Sequence, residues 1–344
     1  MKAIYIVLIV IASVLVAYFL FGLVIILILN NLLFKSRCND PNYPCILLPE
    51  DFPNMEKEEY QVDFNGKKIN GFIYKDKNTT EYKGFAILVH GMFGTHLQYI
   101  ADVALLVDEG YKVLAFDQYG VGISEGENQV SFYNGVKVLN TVIDDVKERN
   151  LNTDLNIILY GHSWGAYCAM QSLTTHPYIH KAILRSGPYK PSYASFQLIK
   201  YQVKPLYYSL VPLFPILSFI LSVFGENYKA DKNLKNNKNT KILLIYALDD
   251  QIVNKENAQA IKLDDKYENV ECYITEDGLH NSIITEKSYH KFLVLWSKYK
   301  AIQSIQDKNE KAIKEKKFIS SLNRPSLLVY QPEVKKKILS FLEL

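Results

Sequence analysis

The sequence predicts an α/β fold: a mostly parallel sheet of eight strands with helices on both faces. Three observations lead there. Short continuous apolar runs of strand length recur along the body, the mark of strands buried on both sides. Helix-length segments separate them, the rhythm of parallel strands joined by crossover helices. One early pair of segments alternates instead and is joined by Asn65-Gly66, the chemistry of a tight hairpin. A chain of 344 residues, 49% hydrophobic, is long and apolar enough for a substantial core.

The first element stands apart from this rhythm. Ala3 to Leu29 is a run of 27 residues without a charge, 25 of them apolar. It exceeds the roughly 20 residues a helix needs to cross a bilayer. A cleaved signal peptide would be shorter and end in small residues; Leu-Asn-Asn-Leu-Leu-Phe after Ile28 offers no such site. The expectation is one transmembrane helix over residues 3–29, giving a single-pass membrane protein. Lys2 before it and Lys35 and Arg37 after it lean toward a cytoplasmic body, by one charge only. Cys38 and Cys45 then flank a Pro-containing loop; they either close a disulfide, which would imply an oxidising compartment, or are unrelated thiols.

In the body, Tyr60 to Phe64 and Ile69 to Tyr74 form the expected hairpin. The buried strands follow at Phe85–Val89, Lys112–Phe116, Leu155–Tyr160, Ala182–Leu184 and Ile242–Tyr246, with a more alternating one from Val270 to Ile274. Helices are expected around 97–109, 131–149, 164–175, 254–264 and 281–299. Between Ser186 and Lys241 no sheet strand is evident. Residues 191–225 there hold only Lys200 and Lys204 as charges among many apolar residues. Such an insertion predicts a cap of short apolar helices; a second membrane span from Pro205 to Gly225 is the rival, with Pro212 and Pro215 against it. The expected organisation is an anchor over 3–29, a linker over 30–57, a domain over 58–300 with its cap at about 187–240, and a basic helical tail over 301–344.

Charge and cysteine usage exclude some classes. The chain has 39 basic and 36 acidic residues, net +3, so whole-chain basicity does not point to nucleic acid. Residues 300–344 hold ten basic and five acidic residues, leaving the rest at net −2. In that tail Val334, Ile338, Leu339 and Leu342 share a helical face, which would either pack on the domain or meet anionic lipid. Four cysteines cannot form a dense disulfide scaffold, and no Cys-x-x-Cys or His-Glu-x-x-His spacing suggests zinc.

The chemistry concentrates after the strands. Gly161-His162-Ser163-Trp164-Gly165 follows one strand and opens a helix. A sharp strand-to-helix turn strains its central residue and holds a serine hydroxyl above the sheet, and the flanking glycines leave room for it. A serine hydroxyl is a poor nucleophile and needs a base oriented by an acid, in the chain order Ser, acid, His for this turn. His280 directly follows the last strand and is the expected base. The expected acid is Asp250, with Asp249 as rival; both follow the strand ending at Tyr246. His90-Gly91-Met92-Phe93-Gly94 follows the third strand, so the Met92 and Trp164 amides are the expected oxyanion donors. Such a mechanism calls for no metal or organic cofactor.

With His90-Gly-Met-Phe-Gly94, Asp117-Gln-Tyr-Gly120-Val-Gly122-Ile-Ser124, Gly161-His-Ser-Trp-Gly165, Asp250-Gln-Ile-Val253 and His280-Asn281, the sequence resembles the α/β-hydrolase superfamily. Within it the likeness is to the serine-aminopeptidase (S33)-like and monoacylglycerol-lipase-like group, over roughly residues 58–300. The resemblance implies an α/β-hydrolase fold and ester hydrolysis more than peptidase activity. It also implies Asp250 rather than Asp249 as the acid. Relatives carry Arg where this chain has Tyr119, in a loop that is structural in the family. Gly120-Val-Gly122 lacks the spacing and helix of a dinucleotide loop. The expectation is a serine hydrolase acting on an acyl or lipid-like ester, its partners that small-molecule ester and the membrane lipid bilayer. An aminopeptidase, amidase or thioesterase is the enzyme alternative, and a catalytically silent membrane-tethered interaction protein the non-enzyme one.

Overall fold

The computed structural model describes residues 2–35, 37, 38, 43–232, 234–327 and 329–344. Its centre is one sheet of eight strands in the order β1-β2-β4-β3-β5-β6-β7-β8. The hairpin strands β1 (Met55–Phe64) and β2 (Lys67–Asp76) are antiparallel, and Asn65 and Gly66 make the turn at φ 52 and 75. From β4 onward the sheet is parallel: β3 (Gly84–Val89), β4 (Tyr111–Phe116), β5 (Ile157–His162), β6 (Lys181–Arg185), β7 (Lys241–Ala247) and β8 (Val270–Thr275).

The period of two sorts side chains between the layers. Phe85, Ile87 and Val89 face a core built with α3 (Phe132–Glu148), α4 (Trp164–Ser172) and α8 (Gln259–Leu263). Ala86 and Leu88 face the opposite core with α2 (Ile100–Asp108). The apolar run at the N-terminus is one helix, α1 (Lys2–Phe34), so the helix extends beyond the expected anchor into the expected linker. It is long and apolar enough to cross a membrane. Its last three turns pack on the domain, burying Ile26, Leu33 and Phe34.

The insertion after β6 is helical: α5 (Pro191–Gln202), α6 (Lys204–Leu210) and α7 (Phe214–Val223). The segment Lys204–Val223, apolar enough for a span by composition, is broken between α6 and α7 by a 3-10 turn containing Pro212. Among the described residues no disulfide forms, and Cys38 and Cys45 remain thiols; residues 39–42 between them lie outside the described residues.

One boundary needs correction. The helix expected over 281–299 is α9 (Glu286–Gln303), and it buries only Ser288; it pairs with α10 (Lys308–Ser320), stacking Tyr299 on Phe318. The face of the sheet beside α2 is instead covered by α11 (Pro332–Glu343), which buries Val334, Ile338, Phe341 and Leu342. The folded body therefore does not stop at residue 300. α11 is locked in place by Lys181, whose Nζ donates to Leu342 O at 2.6 Å.

Candidate active site

β5 ends at His162 and α4 starts at Trp164, so Ser163 alone makes the turn. Its backbone stands at φ 55 and ψ −118, a conformation costing on the order of 1–3 kcal/mol for a side-chain-bearing residue. Neighbouring bonds hold it there: Ser163 N–H donates to Arg185 O at 2.8 Å, and Tyr167 N–H donates to Ser163 O at 3.1 Å. The flanking glycines are needed for contact. A Cβ on Gly165 would stand 2.0 Å from Val89 O, and one on Gly161 would stand 2.7 Å from Gly165 O.

The structure brings Ser163, His280 and Asp250 together at the carboxyl ends of the parallel strands. His280 Nε2 lies 2.8 Å from Ser163 Oγ, and its Nδ1 lies 2.9 Å from Asp250 Oδ2. The Asp250 carboxylate is buried, and its other oxygen accepts the Ile252 and Val253 amides at 2.8 and 3.0 Å. With Oδ1 taken by two amide donors, Oδ2 is the acceptor that Nδ1–H of the imidazole meets, which leaves Nε2 to accept from the serine. Asp249, the rival acid, points elsewhere: it accepts the Leu279 amide at 2.7 Å and the Gly278 amide at 3.3 Å.

Met92 and Trp164 both border the space beside Ser163 and His280. Trp164 opens α4, so its amide has no acceptor within the helix. The loop of Met92 comes close because Gly91 has no side chain; a Cβ there would lie 3.3 Å from Ser163 Cβ. Gly91 N–H donates to Tyr99 Oη at 2.9 Å, Tyr99 Oη lies 2.7 Å from His162 Nδ1, and His162 Nε2 lies 2.8 Å from His280 O. One arrangement satisfies all three contacts: neutral His162 donates from Nε2 to His280 O and accepts the Tyr99 hydroxyl at Nδ1. Burial foremost, then the Arg185 charge, holds His162 well below the ordinary histidine range, consistent with a neutral ring.

The loop bearing His280 is supported from beneath and outside. Arg185, fully buried, donates to Asn281 O at 2.6 Å and to Asp102 Oδ2 at 3.1 Å, while Tyr160 donates to Asp102 Oδ1 at 2.7 Å. On the outer side Gln331 Nε2 donates to Asp277 O at 2.8 Å and Ile284 O at 3.2 Å.

The pocket at Ser163 measures about 210 Å³ and is walled by Met92, Phe93, Phe132, Leu198, Ile252 and Val253 among others. The indole N–H of Trp164 is turned away to Phe132 O at 2.9 Å. Phe132 also borders a second cavity of about 100 Å³, between α1 (Asn30, Phe34) and the cap (Pro191, Leu221). Among the described residues no group of three His, Cys, Asp or Glu is placed to hold a metal ion.

Sequence reasoning did not single out Asp249 as a backbone brace, nor Tyr99, Arg185 or Gln331. It counted Arg37 only as a charge flanking the anchor and missed what its guanidinium binds. The loop that carries Tyr119 in place of the relatives' arginine receives a guanidinium from the segment after α1. Arg37 donates to Gly126 O and Ser124 O, both at 2.8 Å, and to Gly122 O.

A family model described as serine aminopeptidase, S33, matches residues 80–238. Uncharacterized protein RP471 of Rickettsia prowazekii (strain Madrid E) is 33% identical over 139 residues, which is 37% of this chain and 55% of that protein. The AB hydrolase superfamily protein YfhM of Bacillus subtilis (strain 168) is 30% identical over 105 residues, 30% of this chain and 35% of that protein. The chain thus spans about half or less of the length of the curated relatives it matches. Among solved structures, the Pyrococcus furiosus esterase Pf2001 is similar with a TM-score of 0.56 at 21% identity, over 78% of this chain and 98% of that one. That likeness shows an α/β-hydrolase fold, and the stretch matched by the family model covers the centre of the same domain.

Proposed function

We propose that this chain is a membrane-anchored serine hydrolase that cleaves acyl or lipid-like carboxylic esters. The observation that carries the proposal is His280, with Nε2 at 2.8 Å from Ser163 Oγ and Nδ1 at 2.9 Å from Asp250, beside an apolar pocket. In this reading Ser163 Oγ attacks the ester carbonyl carbon as its proton passes to His280 Nε2. Asp250 keeps the ring oriented and stabilises the imidazolium. The Met92 and Trp164 amides receive the oxyanion. Collapse of the tetrahedral intermediate breaks the bond to the alcohol, which leaves with the proton from Nε2. Water, giving its proton to the same nitrogen, then attacks the acyl-enzyme; Ser163 recovers its proton and the acid departs. The apolar walls favour an acyl group over a charged one. The length and apolarity of α1 support the anchor.

Labelling with a fluorophosphonate probe tests the nucleophile. The wild-type chain should label and Ser163→Ala should not; a label that persists in the variant overturns the assignment, and a wild-type chain that never labels favours the silent scaffold. The aminopeptidase reading has one observation in its favour. Glu226, one residue beyond the acid-free stretch of the cap, borders the second cavity and accepts the Tyr133 amide at 3.3 Å. An ester panel run beside aminoacyl anilides separates the two: efficient anilide cleavage with no chain-length preference among esters would sink the ester proposal.

A further inference from the structure

The cap is apolar on its outside as well as inside. Tyr208, Phe219, Val223 and Phe224 are 65–76% exposed. A patch of this kind marks an interaction surface. Its neighbour indicates what covers it. The Tyr18 hydroxyl of α1 donates to Ser209 O, the residue after Tyr208. Four residues on, a Cβ on Gly22 would stand 2.2 Å from Leu213 Cδ1, so glycine is what lets the cap close on the helix. Before Tyr18, residues 2–17 of α1 are exposed throughout.

Length sets the depth. From Ala3 to Gly22 a helix rises about 30 Å at 1.5 Å per residue, roughly the thickness of a bilayer's hydrocarbon core. With Ala3 at the far boundary, the near boundary falls level with Gly22 and Leu213. Tyr18 and Ser209 then lie about one turn, ~5 Å, inside it. Interfacial helices bury their apolar faces to a comparable depth of about 5–10 Å. The only charges over residues 191–225, Lys200 and Lys204, are basic, the sign that anionic headgroups accept.

We propose that the α6 end of the cap's outer face, with Tyr208, sits in the acyl layer of the bilayer that α1 crosses. This rests on the anchor reading. Its consequence concerns access: α5 packs against α1 while its Ala194 and Leu198 line the catalytic pocket. A single helix therefore separates the membrane helix from the pocket, and the ester is drawn from the lipid phase.

The test places the full chain in nanodiscs of acyl-brominated or ordinary lipid and reads tryptophan emission. Tyr208→Trp is compared with Tyr178→Trp, which is exposed just before β6, at the opposite end of the sheet from the cap. Wild-type emission from Trp164 and Trp296 is subtracted. Tyr208→Trp should lose most of its added emission in brominated discs, and Tyr178→Trp should keep its own. If the chain leaves the discs on alkaline washing, the anchor reading falls and the cap proposal with it. If the chain stays and Tyr208→Trp emits equally in the two lipids, as it would with a second copy covering the patch, the cap proposal alone is overturned.

Discussion

Asp249 and Asp250 hold different parts of the same loop: Asp250 binds the His280 imidazole at 2.9 Å, and Asp249 binds the Leu279 amide at 2.7 Å. Leu279 has φ 50 and Gly278 has φ 140, so the Asp249 carboxylate restrains a backbone that would relax without it. Asp250→Asn should lower kcat by about 10⁴-fold, through loss of the charge and the correct tautomer. Asp249→Ala should lower kcat by about 10²-fold with a smaller change in KM, because it displaces His280 rather than removing its partner. Steady-state kinetics on a short p-nitrophenyl ester check both. An Asp249→Ala enzyme with unchanged kcat would remove the brace.

The same pair shows how far the sequence could be read. All eight strands were legible, because buried strands announce themselves as short apolar runs between helix-length segments. Ser163 and His280 were legible from their positions after strands. Which of two adjacent carboxylates meets the histidine depends on a one-residue turn of the chain, which composition and spacing do not report; Asp250 was the expected acid with Asp249 as rival, and the resemblance supported that choice. Residues 286–303 and 332–343 are both helical, and the sequence did not say which of them takes the place beside α2 on the sheet. In the fold that place goes to α11, whose Val334, Ile338, Phe341 and Leu342 form a buried face, while Leu293 and Val294 of α9 stay exposed. The roles of Arg37 and Gln331 escaped notice because each acts on a loop about 85 and 50 residues away, respectively.

Two buried histidines make stability fall in acid. Burial holds both His90 and His162 below the ordinary value of 6.5. In the unfolded chain each takes up a proton as pH drops through that value, and in the folded chain it does not. The unfolded state then binds more protons, so stability is full above this range and declines below it, by about 1.4 kcal/mol per pH unit for each histidine. Thermal midpoints of the detergent-solubilised chain at pH 7.5 and 5.5 should drop in acid, and His162→Gln should show a smaller drop. An equal drop in the variant would show that His162 is not one of the groups responsible.

Gln331 clasps the outer side of the loop that carries His280. Besides the side-chain bonds to Asp277 O and Ile284 O, Thr275 donates to its Oε1 at 3.2 Å, and its backbone N–H donates to Ile283 O at 2.8 Å. Gln331→Ala should lower kcat by about tenfold with KM nearly unchanged, as expected of a positioning residue. Gln331→Glu keeps the size but loses the Nε2 donor, so it should not restore the rate. Full activity in either variant would show that the loop stands without the clasp.

On the proposed function, Phe132 should decide how long an acyl chain the pocket takes. It is the first residue of α3, capped by Ser131, whose Oγ accepts the Asn134 amide at 3.2 Å. Its ring is buried, edge-on to Phe34 of α1 at 5.5 Å, and it stands between the catalytic pocket and the cavity at the foot of α1. Phe132→Ala removes that partition but keeps the backbone carbonyl that accepts the Trp164 indole. The oxyanion side of the site is therefore retained, and an acetyl ester should be cleaved within a few-fold of the wild-type rate. Longer chains should gain, since each methylene buried in the joined space is worth about 0.8 kcal/mol, or roughly fourfold in kcat/KM. The loss of a buried ring costs about 3–5 kcal/mol of stability, so Phe132→Leu serves as the milder variant, with a smaller shift in the same direction. A series of p-nitrophenyl esters from acetate to laurate, run on folded enzyme, reads the optimum. An optimum that stays at the wild-type length in both variants would mean that the two cavities do not communicate through Phe132.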